Sequence, residues 1–445
     1  MPRPPRRADS QAQADSAAVP LSGAPLATTV VTTPAERRLA FRVLFLAVLA
    51  QGMGQPIMFT ILPPVARELG LSEWQTGMIF MISAVLWVAL SPYWGRLSDR
   101  WARKPVMLIG LVAFSFSTLL FTCFVWVGLQ GLYPLWVVYT LMICSRCIFG
   151  SIGPGTPAAA QAYIADRTTR LERTSGVSTL AAGFGLGAML GPGVGASLAV
   201  LGLLAPLFAV AGLAFVGAAL IYFFLPERTP PRVRRALPKL KVTDLRVRPF
   251  LMFGLLTGTA QAIPIQAFTF FLMDTLNLSA QEVPQQAGVA LMCSAASGLF
   301  AQLYLVQHLK LKAGMLMRWG TGLAIGGMVL LIVSDQLAPI TLGLVFLGLG
   351  FGMNRPGYVA AASLAVRPDE QGAAAGLINS AGAMGFVLAP LIGLPLYEIA
   401  PVAPFVLALV LLGAAAVYVQ VAPSFRLVDT EPRDSDTIDP SQTPV

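Results

Sequence analysis

Charge is what this chain has least of. Lys, Arg, Asp and Glu make up 11% of its 445 residues, under half the share of an ordinary soluble domain. A soluble fold is excluded, because hydrophobic residues reach 56% and the mean hydropathy is +0.72; no soluble surface hides that much apolar area. Disorder as the main state fails for the same reason. Histidine is nearly missing as well. His308 is the single one, which argues against a His-dependent hydrolase or a zinc site. The four cysteines, Cys123, Cys144, Cys147 and Cys293, all fall in apolar runs, as thiols packed in helices do, and not as a disulfide framework does. Cys144 and Cys147 have CxxC spacing but no second pair or His cluster beside them, so no metal and no cofactor is expected.

What the chain does have is apolar segments of spanning length, about 20 residues each. They fall near 39–63, 74–95, 105–128, 135–157, 175–200, 203–225, 249–273, 285–308, 314–334, 337–361, 372–397 and 401–422. This pattern predicts an all-α membrane protein of twelve transmembrane helices. Residues 1–38 form a flexible tail without the apolar core of a signal peptide, and 423–445 form an acidic flexible tail. The longest polar interruption, 226–248, holds eight basic residues and divides the spans six and six. It predicts two bundles, 39–225 and 249–422, joined by a basic linker that touches anionic lipid head groups.

The net charge of +9 suggests a nucleic-acid partner only until the charges are placed. With twelve spans, twenty-seven of the 30 basic residues fall on the side of the two termini. Arg67 alone lies on the other side, and Arg146 and Arg355 lie inside spans. By the positive-inside rule both termini are cytoplasmic, and the basic pI reports orientation with no nucleic-acid partner.

The halves also repeat. Gly187, Gly191, Pro192 and Gly195 stand in GAMLGPGVG; Gly385, Ala389, Pro390 and Gly393 stand in GFVLAPLIG, 198 residues later. Such a half-protein repeat is the footprint of a transporter made of two six-helix bundles.

Three motifs then give a family resemblance. The loop expected after the second span reads GRLSDRWARKPVM, and its Gly95, Leu97, Asp99, Arg100, Arg103 and Lys104 match the major facilitator signature G-x-L-a-D-r-x-G-r-k. Ala102 stands where that signature has its second glycine. Arg146 with Gly150 is similar to the family's R-x-x-q-G element, with Phe149 in place of the polar residue. Gly187, Gly191, Pro192 and Gly195 resemble the fifth-helix motif of the drug:proton antiporter branch, with Ala196 in place of its final glycine. Leu225-Pro226-Glu227 is family-like too. The resemblance covers the whole spanning region. It implies the major facilitator fold, two pseudo-symmetric six-helix bundles working by alternating access as a monomer in a bacterial inner membrane, with protons as the coupling ion.

The residues carry definite expectations of their own. Gly95 permits close approach of helix ends. Asp99, with Arg100, Arg103 and Lys104 beside it, is expected to latch the halves together at the cytoplasmic gate. Arg146 at mid-membrane faces a cavity or a partner. Gln51 and Gln55 share a helix face, and Asn354 and Arg355 sit near the glycine-interrupted stretch 352–357. All five are expected to line a substrate cavity or serve proton coupling. Gln51, Gln55, Gln261, Gln266 and Gln302 equally suit gluing helices together. No acid is placed at mid-span; Asp166 and Asp274 are the nearest candidates. The expected activity is export of a small amphipathic compound, a drug-like molecule or a secreted metabolite such as a siderophore. An importer or uniporter on the same fold is the first rival. A membrane enzyme or lipid flippase is the second rival; an enzyme would show clustered Asp, His or Ser groups at a membrane face, and the sequence has none.

Overall fold

The computed structural model describes residues 34–167, 170–227, 240–309, 311–367, 370–422 and 425. Twelve of its helices are long and apolar enough to cross a membrane. In chain order they are α1 Glu36–Leu69, α2 Glu73–Arg100, α3 Arg103–Leu129, α4 Leu135–Ile164, α5 Thr179–Ala199, α6 Ala205–Phe224, α7 Arg248–Leu276, α8 Val283–Leu309, α9 Ala313–Val333, α10 Leu337–Leu364, α11 Ala373–Ile399 and α12 Ala403–Val421. Among the described residues there is no strand. The all-α, twelve-span architecture expected from the sequence is the one observed. Most of the two tails and of the linker (1–33, 228–239, 423–424 and 426–445) lies outside the described residues.

Two bundles have separate cores. One buried cluster runs from Ala40 to Leu225. Val247 to Phe425 supply the others. Phe116, Phe208, Phe215, Val410 and Val417 face outward, which is stable only against lipid.

Several boundaries differ from expectation. The second span does not stop at residue 95. α2 continues to Arg100, where the Trp101 N–H bonds to Leu97 O, and α3 starts at Arg103. The supposed loop motif is therefore mostly helical, and the connection is Trp101-Ala102. Ala102 is extended, at φ 172°, a conformation that needs no glycine. α1 runs on to Leu69 through Pro63 and Pro64. α4 is built in two pieces, Leu135–Ile152 and Gly155–Arg167, broken at Gly153-Pro154.

Proline removes a helix N–H and leaves the carbonyl four residues earlier without its donor, a cost that lipid cannot relieve. The structure relieves it with side chains. Pro157 cannot donate to Gly153 O, which receives the Thr156 N–H at 3.3 Å and Gln51 Nε2 at 3.3 Å. Pro63 cannot donate to Phe59 O, and Thr269 Oγ1 donates at 2.8 Å from the other bundle. Pro390 cannot donate to Phe386 O, and Gln266 Nε2 approaches it at 3.5 Å. Gln51 and Gln266 thus bind helix to helix.

The glycine repeat explains how each bundle closes. A Cβ on Gly187 would strike Leu49 O, and one on Gly191 would stand 2.8 Å from Met53 O. Gly195 rests on Ile57. In the second bundle a Cβ on Gly385 would stand 2.5 Å from Gly258 O, and Gly393 rests on Ile263. So α5 lies on α1 as α11 lies on α7. The other face of the same helices joins the bundles. Gly288 on α8 meets Pro192 O and Ala196, and Gly77 on α2 meets Pro390 and Leu394. Pro192 and Pro390 are 198 residues apart, as are Ala196 and Leu394.

Leucine at Gly187 is expected to split the α1–α5 seam and lower stability by about 2 kcal/mol. Gly322→Ala, where a Cβ meets nothing within 4 Å, is expected to be neutral or slightly stabilising. Thermal unfolding of the purified variants in detergent checks this; equal melting of the two would contradict the seam.

Candidate functional site

Arg146 is the most buried charge in the membrane region, at 2% exposure. It sits in the upper piece of α4. Its Nη2 donates to Gln55 Oε1 of α1 at 3.0 Å. Its guanidinium lies over the Phe149 ring at 4.6 Å, and Phe149 packs against Trp87 and Phe114. Nε has no protein hydrogen-bond partner. The expected grouping of Gln51, Gln55 and Arg146 therefore holds in part. Gln55 touches Arg146, whereas Gln51 is committed to the break in α4, with Oε1 unpartnered.

Asn354 and Arg355 are adjacent in sequence and turn apart. Asn354 is 1% exposed and packs on α9, where Thr321 Oγ1 donates to its Oδ1 at 3.3 Å and Gly320 is small enough to admit it. The structure corrects the expectation that Asn354 lines the cavity: successive helical residues point about 100° apart, and this one faces its own bundle. Arg355 is exposed, and its Nη2 donates to Asn379 Oδ1 of α11 at 3.4 Å.

The Gly95–Lys104 motif, at the end that carries the basic connections, forms a network within its own bundle. Arg103 is 5% exposed. It pairs with Asp99 at 2.6 Å and with Asp166 at 3.0 Å, and donates to Ser98 Oγ at 2.9 Å. The Lys104 backbone N–H, at the start of α3, donates to Glu227 at 2.7 Å, an anion placed where a helix N-terminus favours one. Pro226 O receives Tyr163 and Arg167. Leu225-Pro226-Glu227 is thereby docked to the same network. Gly95 has open space around it and Arg100 is exposed. Nearby, outside the spans, Arg246 bonds both Asp244 and Glu370 at 2.8 Å. Hydrogen bonds from Arg246 hold both carboxyls below their usual range. This attachment is complete above the ordinary carboxylate pKa and is lost as pH falls through the lowered one.

The opposite end is where the bundles meet. Arg67 of α1 binds Asp274 of α7 through Nη1 at 2.5 Å and Nη2 at 2.8 Å, and Glu73 of α2 at 2.8 Å. Tyr397 of α11 donates to Asp274 at 2.5 Å. Trp74 N–H donates to Glu398 at 3.0 Å, and Gln281 to Glu68 at 2.9 Å. Sequence reasoning located Arg67 and Asp274 without seeing that they converge. The available signal was that Arg67 is the one basic residue on its side. Asp166 and Asp274, the acids nearest to the cavity by sequence, are thus both held by arginines.

With this geometry the comparisons have a clear meaning. The family model described as the Major Facilitator Superfamily matches residues 44–390. The chain belongs to the Major Facilitator Superfamily. Major facilitators carry solutes, so this protein is a transporter integral to a membrane and not an enzyme. It is 24% identical over 382 residues to "Multidrug resistance protein 2" of Bacillus subtilis, covering 84% of this chain and 92% of that one. It is 27% identical over 378 residues to "Multidrug resistance protein 1" of the same organism, covering 83% and 92%. It is 24% identical over 379 residues to "Quinolone resistance protein NorA" of Staphylococcus aureus, covering 84% and 94%. Among solved structures, an inward-facing, occupied bacterial homologue of the human lysosomal transporter Spinster superposes with a TM-score of 0.70 at 14% identity, over 90% of this chain and all of that one. The nucleoside transporter NupG superposes with a TM-score of 0.66 at 14% identity, over 88% and 100%. These structures share the major facilitator fold.

Asp274→Asn is expected to weaken the cross-bundle cluster by about 1 kcal/mol, a partly exposed pair, and to raise the fraction open at that end about fivefold. Spin labels at Gly70 and Leu278 check this by electron–electron distance; an unchanged distribution would remove Asp274 from the closure.

Proposed function

We propose that the protein exports a small amphipathic compound, a drug-like molecule or a secreted metabolite such as a siderophore, in exchange for protons. It works by alternating access as a monomer in a bacterial inner membrane, with both termini cytoplasmic. One observation carries the mechanism. Contacts between the bundles gather at the Arg67–Asp274 end, while the Asp99–Arg103 network at the basic end is paired within its own bundle. With basic connections on the cytoplasmic side, this is the inward-open state. Closing the basic end would bring Asp99 to a partner on the second bundle and release the Arg67 cluster. The division into a first bundle 39–225, a linker 226–248 and a second bundle 249–422 fits that rocking motion, and the linker's basic residues suit anionic lipid head groups.

Export is favoured by the names of the relatives and by the fifth-helix motif. Gly187, Gly191 and Gly195 hold α5 close to α1 while Pro192 faces α8, so this helix both seals one bundle and meets the other. Proton coupling rests on the family resemblance. Among the described residues no acid stands at mid-span; the span acids Glu36, Glu68, Glu73, Asp99, Asp274 and Glu398 all lie near helix ends.

Two measurements test this. In proteoliposomes with an imposed pH gradient, a transported compound should move against the proton flow and stop when the gradient collapses. Gradient-independent movement would remove the antiport reading, and loss of uptake in a deletion strain would indicate the importer. Asp99→Asn should insert and fold normally yet slow transport about tenfold or more, since it leaves Arg103 short of one charged partner. Wild-type rates at equal expression would end the latch role.

A further inference from the structure

Among the described residues, the transport reading leaves two cations away from the span ends, Arg146 and Arg355, without an anion. Arg146 has Gln55 and the Phe149 ring as neighbours and an unpartnered Nε. Arg355 has Asn379. Neither makes an ion pair, and the acids that might have served, Asp166 and Asp274, are taken by Arg103 and Arg67. A charged side chain inside a bilayer pairs or faces a water-filled space. α10 has committed its other faces: Asn354 and Gly357 to α9, Gly352 to α8, and Tyr358 to Gly254 of α7. Arg355 is left exposed on the remaining face, beside the exposed Asn379 of α11. By the helical step of about 100° Arg355 falls between the side of α10 that meets α7 and the side that meets α8, away from α9.

We propose that the transported compound carries a carboxylate or a similar anionic group on an apolar body, and that Arg355 is its receptor on the second bundle. This rests on the transport reading and names the substrate class of that cavity. A guanidinium offers a forked set of donors that fits a carboxylate and keeps its charge at every physiological pH. Arg146, held rigidly by Gln55 and Phe149, keeps the potential positive from the first bundle without needing direct contact. A cationic compound would meet like charge from both bundles. The cavity therefore discriminates by sign as well as by apolarity.

The test uses the full chain in detergent and three probes with one apolar body: 4-(1-naphthyl)butyrate, the matching butanol and the matching butylamine. Equilibrium binding by calorimetry should rank the butyrate about tenfold or more tighter than the butanol, with the amine weakest. Arg355→Gln should bring the butyrate down to about the butanol value measured on the same variant. Arg355→Lys should keep part of the preference, since the charge survives and the fork does not. No saturable butyrate binding, equal butyrate and butanol binding, tightest binding of the amine, or a preference that survives Arg355→Gln would overturn the assignment. Flux of the same probes in proteoliposomes separates the two claims. Flux without preference for the anion removes the anion site alone. An anion preference in binding without any flux removes the transport reading and leaves the site.

Discussion

Within a bilayer every backbone polar group must find its partner inside the protein, and this constraint assigns most of the polar residues of the spans. Prolines make it acute. Pro157, Pro63 and Pro390 cannot donate to the carbonyls of Gly153, Phe59 and Phe386, and Gln51, Thr269 and Gln266 do. Side chains that resemble ligands for a solute are thus first of all ligands for the protein. Arg146 with Gln55 and Arg355 with Asn379 are different, each arginine bonding a side-chain amide of another helix in its own bundle.

Glycine supplies the complementary device. There is no hydrophobic drive between helices in lipid, so association depends on close backbone contact. The α1–α5 and α7–α11 seams achieve it with the same spacing in both bundles. The outer faces of α5 and α11 then meet α8 and α2 through Pro192 and Pro390. One helix in each bundle therefore holds its own bundle and also forms the joint to the other. The charged networks sit at the two ends of these joints, one within a bundle and one across both.

Much of this was legible in the sequence. Twelve apolar segments, one-sided basic residues and the 198-residue glycine-proline repeat give the fold, because lipid enforces length, charge side and small-residue spacing locally. The site was less legible. Asn354 and Arg355 look equivalent as neighbours, and only the rotation of α10 against α9 separates them. Arg67 and Asp274 are 207 residues apart, and no local pattern reports that their helices end side by side. The Gly95–Arg100 stretch is polar enough to pass for a loop, yet the Asp99–Arg103 pair spans the corner and lets helix continue to its edge.

That corner has a mechanical meaning. Trp101-Ala102 is all the chain between α2 and α3, and the start of α3 is fastened through Glu227 to the end of α6. There is no slack in this path. A tilt of α2, whose far end carries Gly77 against α11, is passed directly to two further helices of its bundle. Chain length at the corner thus acts as the stiffness of a lever, and lengthening it by a residue or two would decouple the ends while leaving every charge in place.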